Sequence, residues 1–314
     1  MNLLDIIIQV YGKLHNYKGV PFWILTPFRK TTRAIANILL PRYLAKYRQQ
    51  SIVSNKRVIS LNKKPSSGSK IVVSLTSFPA RINNVWQVVT CMLNQTLHPD
   101  KIVLWLSKEQ FPDPNTIPES LRVLEGEIFK IRIVDGDLRS HKKYYYASLE
   151  YADDHIFLID DDIYYSTTLL ENTWIEYLKY ENAVICNYGY HIGFNNNGMM
   201  KSYNTWERCY HKSNDKNLFF GSGGGTLFCP SKMYKDLTNI ELSFKLTPTA
   251  DDIWLNAMAR IAKAEIVLLA NGLILPINNR ENSTLHSVNV GMAQNDEQLK
   301  NVRNYYKDKR IWDK

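Results

Sequence analysis

From residue 70 onward, short apolar runs rich in Val and Ile alternate with longer segments in which apolar residues recur every three or four positions. The short runs are typical of buried strands, and the longer segments have the period of amphipathic helices. Strands separated by helices form a mostly parallel sheet with helices on its faces, so the pattern predicts a doubly wound α/β fold. The predicted strands are 71–75, 101–106, 128–134 and 156–159, and the helices between them are 84–97, 118–124 and 142–152.

The second half of the chain continues this pattern less regularly. Residues 188–217, rich in Asn, Gly, Tyr and His, are predicted to form a long loop or insertion. The other predicted elements are helices at 169–180, 252–262 and 295–310 and strands at 183–187 and 265–270. With the Pro-, Ser- and Gly-containing linker at 62–69, we expect a basic amphipathic extension (1–69), a main α/β domain (70–294) and a basic C-terminal helix (295–314).

The positive charge of the chain is concentrated at its N-terminus. The first 70 residues contain 13 Lys and Arg and one acid, Asp5, a net charge of +12, whereas the other 244 residues sum to −3. The part after residue 70 is therefore not a general polyanion binder, and no nucleic-acid motif is present, so no nucleic-acid partner is expected. Four widely spaced cysteines without a CxxC pair favour a reducing cytoplasm.

The same N-terminal segment carries apolar residues at helical spacing, with Phe22 and Trp23 beyond them. None of its apolar runs reaches the roughly 20 residues needed to span a bilayer. Two interpretations remain: peripheral contact with an anionic membrane, or an ordinary helical extension packed on the core. We favour the first, which predicts a cytoplasmic protein held on the inner face of the cell membrane.

Three consecutive aspartates follow the predicted strand at 156–159: Asp160, Asp161 and Asp162. Carboxylates crowded together repel one another and are stabilised by a cation. Hard oxygen ligands suit Mg²⁺ or Mn²⁺, which commonly bind phosphate oxygens as well. In an open α/β sheet ligands bind beyond the carboxyl ends of the strands, where this triplet lies. The triplet therefore indicates a metal and diphosphate site, with an acidic turn as the alternative.

Two other loops suit a nucleotide diphosphate, because hydroxyls, backbone amides and cations follow predicted strands there. In the first the candidate residues are Thr76, Ser77, Phe78 and Arg81, and in the second they are Asp137 and Lys143. Each of these residues has the alternative of a helix cap or a solvated charge.

Three clusters lie further along the chain. The glycine run 221–225 would let the backbone approach a ligand closely, or else form a flexible turn. Asp251 and Asp252 precede a predicted helix, where one acid can serve as a cap and the other as a general base. His286 could complete a metal site, although a lone histidine is usually structural.

In this order, these clusters resemble the GT-A class of nucleotide-sugar glycosyltransferases, and more closely the bacterial family-2-type enzymes of capsule or O-antigen polysaccharide synthesis. The triplet, the Asp-Asp pair and the late histidine are similar to those of galactofuranosyltransferases. The resemblance covers about residues 70–290.

The resemblance implies a role for each cluster. Asp160 and Asp161 would contact the donor, and Asp162, Asp160 and His286 would bind the metal. Asp252, or less favourably Asp251, would be the base. The acceptor side would contain Gly223, Gly224, Gly225 and Trp254.

The predicted function is metal-dependent transfer of a hexose-type sugar from a nucleotide diphosphate, with UDP-sugar favoured, to a glycan or lipid-linked acceptor, with inversion. The alternatives are a metal-dependent nucleotidyltransferase or phosphohydrolase, or a non-enzymatic peripheral membrane or carbohydrate-binding protein.

Overall fold

The computed structural model describes residues 2–16, 22–54, 68–269, 274–278 and 294–312. A central sheet with helices on both faces makes up most of this part of the chain. The strands are β1 (Ile71–Thr76), β2 (Lys101–Ser107), β3 (Phe129–Val134), β4 (His155–Ile159), β5 (Ile163–Tyr164), β6 (Ala183–Cys186), β7 (Gly189–His191), β8 (Glu207–Arg208), β9 (Leu218–Phe220), β10 (Gly224–Phe228), β11 (Glu265–Leu268) and β12 (Leu275–Pro276). The helices are α1 (Leu3–Asn16), α2 (Phe22–Ser54), α3 (Val85–Leu93), α4 (Glu119–Arg122), α5 (Lys142–Glu150), α6 (Leu169–Tyr177), α7 (Ile240–Leu246), α8 (Asp251–Ile261) and α9 (Gln294–Tyr305).

Seven strands form the main sheet in the order β11-β6-β10-β4-β1-β2-β3. All neighbours are parallel except β10, which is antiparallel to both β4 and β6. Connections through helices between β1, β2, β3 and β4 produce this parallel arrangement, since each helix returns the chain to the same edge. The predicted α/β fold with a mostly parallel sheet flanked by helices is therefore confirmed.

The region predicted as a long loop contains part of a second sheet. Strand β7 pairs antiparallel with both β8 and β9, in the order β8-β7-β9. The loop prediction was wrong for β7 and β8, because strands of two or three residues are too short to show a period. Strand β9 lies just after the predicted loop. A third, two-stranded sheet joins β12 to β5, directly after the aspartate triplet.

Two hydrophobic clusters cover the two faces of the main sheet. Helices α1 and α2 bury Leu4, Ile8 and Leu40 in the first cluster, and α9 buries Leu299 and Val302 in the second. Both terminal segments therefore contribute to the core of the sheet, and the three-part division stays a prediction. Within the part of the chain that the structure describes, no helix is both long and apolar enough to cross a bilayer.

Candidate active site

The aspartate triplet and the loop after β1 meet at the carboxyl edge of the sheet, because β1 and β4 are parallel neighbours. Asp161 is buried and accepts a hydrogen bond from Ser77 Oγ at 2.5 Å. The Arg81 guanidinium binds Asp161 Oδ1 at 2.8 Å and Asp162 Oδ2 at 2.9 Å through the same nitrogen. Asp161 therefore holds the β1 loop in place, and Arg81 shares its charge between two carboxylates.

Sharing one guanidinium leaves the triplet short of positive charge. Burial raises the pKa of Asp162 to about 7, and the neighbouring Asp161 adds to the effect while Arg81 opposes it. Burial also raises the pKa of Asp161, although Arg81 and Ser77 stabilise its ionised form. The triplet is thus a place where additional positive charge would be strongly favoured.

Lys143 connects the triplet to the second acidic pair. Its Nζ lies 2.7 Å from Asp160 Oδ1 and 3.2 Å from Asp251 Oδ2, and only 4% of its side chain is exposed. Burial by itself would lower the pKa of Lys143, but Asp160, Asp251 and the nearby Asp252 outweigh it and raise the pKa. A buried ammonium ion therefore holds the end of β4 and the start of α8 together.

Asp251 and Asp252 differ in environment although they are adjacent in sequence. Asp251 is buried and accepts a hydrogen bond from Ser222 Oγ at 2.9 Å, whereas Asp252 is half-buried and accepts one from the Ser222 backbone N–H at 2.8 Å. Burial opposes ionisation of Asp251, yet Lys143 outweighs it and the pKa is lowered. Burial and the charge of Asp251 raise the pKa of Asp252 to about 7. Asp252 has the pKa and exposure of a general base.

The glycine run lies directly against Asp160. A Cβ at Gly223 would stand 1.7 Å from Asp160 Oδ2, so no larger residue fits unless the carboxylate moves. Tyr165 fixes the same contact: its hydroxyl accepts a hydrogen bond from Asp160 N at 2.8 Å and donates one to Gly223 O at 2.5 Å. Gly223 therefore brings its backbone close to the carboxylate of Asp160 rather than forming a flexible turn. The sequence analysis missed Tyr165, although it follows the triplet by only three residues.

The charge of Asp252 reaches three half-buried tyrosines: Tyr188, Tyr190 and Tyr203. Burial raises the pKa of each phenol, and the charge of Asp252 contributes to all three shifts. Tyr190 belongs to β7 and Tyr188 is the residue before it, so the small antiparallel sheet positions both. This aromatic group combines apolar ring faces with hydroxyl groups. Sequence analysis missed it because the region gave no strand signal.

Some predicted nucleotide contacts lie at the same edge but are used within the protein. Asp137 follows β3 and binds Lys142 Nζ at 2.6 Å and Gln110 Nε2 at 2.8 Å. Thr76 Oγ1 donates to Trp105 O at 2.8 Å. The Phe78 ring stacks against the Arg81 guanidinium, 5.3 Å from ring centre to Cζ.

Other predicted residues are not brought to the cleft. Trp254 is fully buried in the core, where its indole N–H donates to Leu237 O at 3.1 Å, so it cannot line an acceptor surface as predicted. Gly224 and Gly225 are buried at the start of β10, and Gly225 has a φ of +95°, which favours glycine. His286 lies outside the described residues.

The carboxylate oxygens of the triplet are suitable ligands for a divalent cation. Lys143 occupies one oxygen of Asp160 and Arg81 one oxygen of Asp162, so each carboxylate keeps a second hard oxygen. Among the described residues, no three His, Cys, Asp or Glu side chains are grouped to hold a metal. Two carboxylates are nevertheless sufficient for Mg²⁺ when substrate phosphates complete its shell. Mn²⁺ accepts the same carboxylate and water ligands.

No protein-family model and no curated protein matches this sequence. Among solved structures, the fold is similar to mannosyltransferase PcManGT from Pyrobaculum calidifontis in complex with GDP-Man and Mn²⁺, at 10% identity and a TM-score of 0.46, over 97% of this chain and 76% of that one. It is also similar to S. aureus TarS in complex with UDP, at 12% identity and a TM-score of 0.42; the match covers 64% of this chain and 58% of the TarS chain. At these values the ligands of neither protein can be transferred to this chain.

Proposed function

We propose that this protein is a metal-dependent glycosyltransferase that moves a sugar from a nucleotide diphosphate, for which we favour UDP, to a hydroxyl group of a glycan or lipid-linked acceptor. The observation that carries the proposal is the meeting of two acidic clusters around buried Lys143 at the carboxyl edge of the sheet. One cluster has the composition of a diphosphate–metal site, and the other contains a carboxylate suited to proton transfer. The resemblance of the sequence to polysaccharide enzymes leads us to favour surface polysaccharide synthesis as the process.

On the donor side, we assign Asp160 and Asp162 as metal ligands, with diphosphate oxygens in the rest of the shell. The ion would neutralise the charge of the leaving diphosphate. Arg81 lies next to this position and is oriented by Asp161, so it can donate to the phosphates. We also assign to Asp160 a contact with the ribose or the sugar, as the resemblance implies. The burial of Asp161 supports a positioning role for it instead of direct contact with the donor.

On the acceptor side, we assign Asp252 as the general base. It accepts the proton of the acceptor hydroxyl while the oxygen bonds to the anomeric carbon, and the carbon–oxygen bond to the diphosphate breaks with its electron pair on the leaving group. A single displacement of this kind inverts the anomeric configuration. Asp252 is favoured over Asp251 because it is more exposed and has a raised pKa, whereas Lys143 and Ser222 occupy Asp251.

The proposal is tested first by ligand-dependent thermal stability. The protein is melted with UDP, GDP, CDP, ATP and NAD, each with and without Mn²⁺. Selective binding to the folded state raises the melting temperature. A ligand at 100 times its Kd increases the free energy of unfolding by about 2.7 kcal/mol. We expect UDP to stabilise the protein only when Mn²⁺ is present. No stabilisation by any nucleoside diphosphate would contradict the proposal and favour the non-enzymatic alternative.

Product analysis then separates transfer from the other enzymatic alternative. With UDP-sugars and a panel of glycan acceptors, we expect UDP and an elongated glycan in equal amounts. Release of phosphate or pyrophosphate instead would identify a phosphohydrolase or nucleotidyltransferase.

A further inference from the structure

Helix α1 turns one apolar stripe toward the protein and another toward solvent. Leu4 and Ile8 are buried in the core, while Leu3, Ile6 and Val10 are 37–46% exposed. The exposed residues are spaced by three and four positions, so they lie along one side of the helix. Helix α1 is therefore apolar on two sides, which is unusual for a helix at a protein surface.

Helix α2 repeats this arrangement on a larger scale. At 100° per residue its exposed apolar side chains fall within a sector of about 160°. They are Trp23, Ile24, Phe28, Ile35, Ile38 and Leu39. The opposite sector buries Ala36, Leu40 and Leu44 in the same hydrophobic cluster that receives α1. Both exposed stripes therefore face away from the sheet.

The concentration of apolar residues here is specific to these two helices. Of the fifteen large apolar side chains that are exposed in the described residues, nine lie on α1 and α2. Trp23 is 73% exposed and Phe28 60%. Singly scattered apolar residues are normal on a protein surface, but a grouped set of this kind marks an interaction site.

The positive charge of residues 1–70 favours an anionic partner. Arg42 and Lys46 lie one to two turns beyond Leu39 in the same sector of α2, and both are exposed. An apolar stripe with Trp and Phe that continues into basic residues suits the interface of an anionic bilayer. A second copy of this chain is a poor partner, because pairing would bring two segments of net charge +12 together.

Helix α2 is linked to the candidate active site by hydrogen bonds. The Asn37 side chain donates to Pro276 O at 3.1 Å and accepts from Asn278 N at 2.7 Å. Between these two residues, Ile277 N donates to Asp162 O at 2.7 Å. Residues 276–278, at the end of β12, therefore connect α2 to the backbone of a proposed metal ligand.

We propose that the exposed stripes of α1 and α2 dock the protein on an anionic membrane and hold the active site near the bilayer, where it receives a lipid-linked acceptor. Membrane docking does not depend on the proposed sugar transfer. The identification of the acceptor as lipid-linked rests on that proposed function. The exposed apolar side chains insert into the interfacial region of the bilayer, and Arg42 and Lys46 are attracted to acidic headgroups.

The test is co-sedimentation of the full-length protein with vesicles of phosphatidylcholine alone or mixed with phosphatidylglycerol. We expect binding to the mixed vesicles that weakens with salt, because exposed charges are screened within about 8–10 Å at physiological ionic strength. The double variant Phe28→Glu/Ile38→Glu should lose at least tenfold in affinity. The matched control, Leu149→Glu/Leu178→Glu, changes two equally exposed apolar residues on α5 and in the turn after α6, and should bind like the wild type.

The basic residues are tested separately. Arg42→Gln/Lys46→Gln should bind mixed vesicles about thirtyfold more weakly, equivalent to about 1 kcal/mol for each base. Equal binding of the wild type to both vesicle types, or wild-type binding by the Phe28→Glu/Ile38→Glu variant, would overturn the proposal. So would a wild-type dimer in solution that this variant converts to a monomer, because the face would then be a contact between copies.

Failure of docking and failure of the proposed function are distinguishable. If docking alone is correct, vesicle binding is retained while no nucleoside diphosphate stabilises the protein. If both are correct, the Phe28→Glu/Ile38→Glu variant keeps its Mn²⁺-dependent stabilisation by UDP and its transfer to a water-soluble acceptor. It then loses transfer only to an acceptor embedded in vesicles.

Discussion

Two pairs of adjacent aspartates, one at the end of a strand and one at the start of a helix, reach similar states by different means. In each pair one carboxylate is buried and bound by a cation, and the other has its pKa raised to about 7. The buried members differ: the pKa of Asp161 is raised, whereas that of Asp251 is lowered. Arg81 divides its charge between Asp161 and Asp162, while Lys143 lies fully buried between Asp251 and Asp160.

This difference shows what each pair is suited to do. The strand-end group is short of positive charge and is open to a further cation. In the helix-start pair, the buried Lys143 neutralises Asp251. Among the described residues, no cation forms an ion pair with the second carboxylate, the half-buried Asp252, and its pKa is raised. Adjacent acids that look equivalent in sequence thus differ in environment, and the roles that we propose for them, metal ligand and proton acceptor, follow this difference.

The largest effect should come from the strand-end pair. Asp162→Ala should reduce Mn²⁺-dependent turnover below detection, because a bound metal supplies several kcal/mol of charge stabilisation. Its urea midpoint should equal or exceed that of the wild type, since one repelling charge is lost. Asp153→Ala, which removes an exposed acid before β4, is the control and should leave turnover unchanged. Normal Mn²⁺-dependent activity of Asp162→Ala would remove this metal assignment.

A change in the helix-start pair should affect rate and spare donor binding. Asp252→Asn should lower kcat by about 10²–10⁴-fold, the range typical of a lost general base, with an unchanged Kd for UDP and Mn²⁺. Single-turnover kinetics and UDP titration measure the two quantities separately. If Asp251→Asn folds normally and lowers kcat more than Asp252→Asn, the roles within the pair are reversed.

The buried cation that joins the two groups should matter for stability. Lys143→Met leaves Asp160 and Asp251 without their counterion and should cost about 3–5 kcal/mol in urea unfolding. Lys142→Met is a matched control, because this neighbouring lysine is equally buried but pairs with one carboxylate, Asp137, instead of bridging two. We expect the control to cost less, because Asp137 keeps the hydrogen bond from Gln110 Nε2 when Lys142 is removed. Equal losses in the two variants would show that Lys143 does not hold the two acidic groups together.

The smallest effect is a pH dependence that distinguishes the two raised carboxylates. A general base must be ionised, so kcat/KM should be maximal above the pKa of Asp252, about 7, and fall about tenfold per pH unit below it. Bound Mn²⁺ favours ionised Asp162 and would shift a profile controlled by that residue toward lower pH. We therefore expect the acidic limb to stay in place as Mn²⁺ concentration is raised. If the acidic limb instead shifts to lower pH as Mn²⁺ is added, the controlling ionisation is that of Asp162.

The sequence predicted the parts of the fold that depend on local pattern. Strands β1 to β4 and the helices between them were recognised from β-branched runs and helical periods. The sheet of β7, β8 and β9 was missed, because its strands are two or three residues long and are stabilised by pairing with one another. Trp254 was misassigned because its position beside Asp252 in sequence says nothing about the side of α8 on which it lies.

What the sequence alone determined is the placement of acidic residues at the end of a buried strand and the start of a helix, together with the basic N-terminus. The tertiary structure decided which carboxylates are buried, which share a cation and which keep a raised pKa. Those properties depend on neighbours far apart in the chain, such as Ser77 and Asp161, which are 84 positions apart. Ionisation responds to burial and to charges through space, and a linear pattern contains neither.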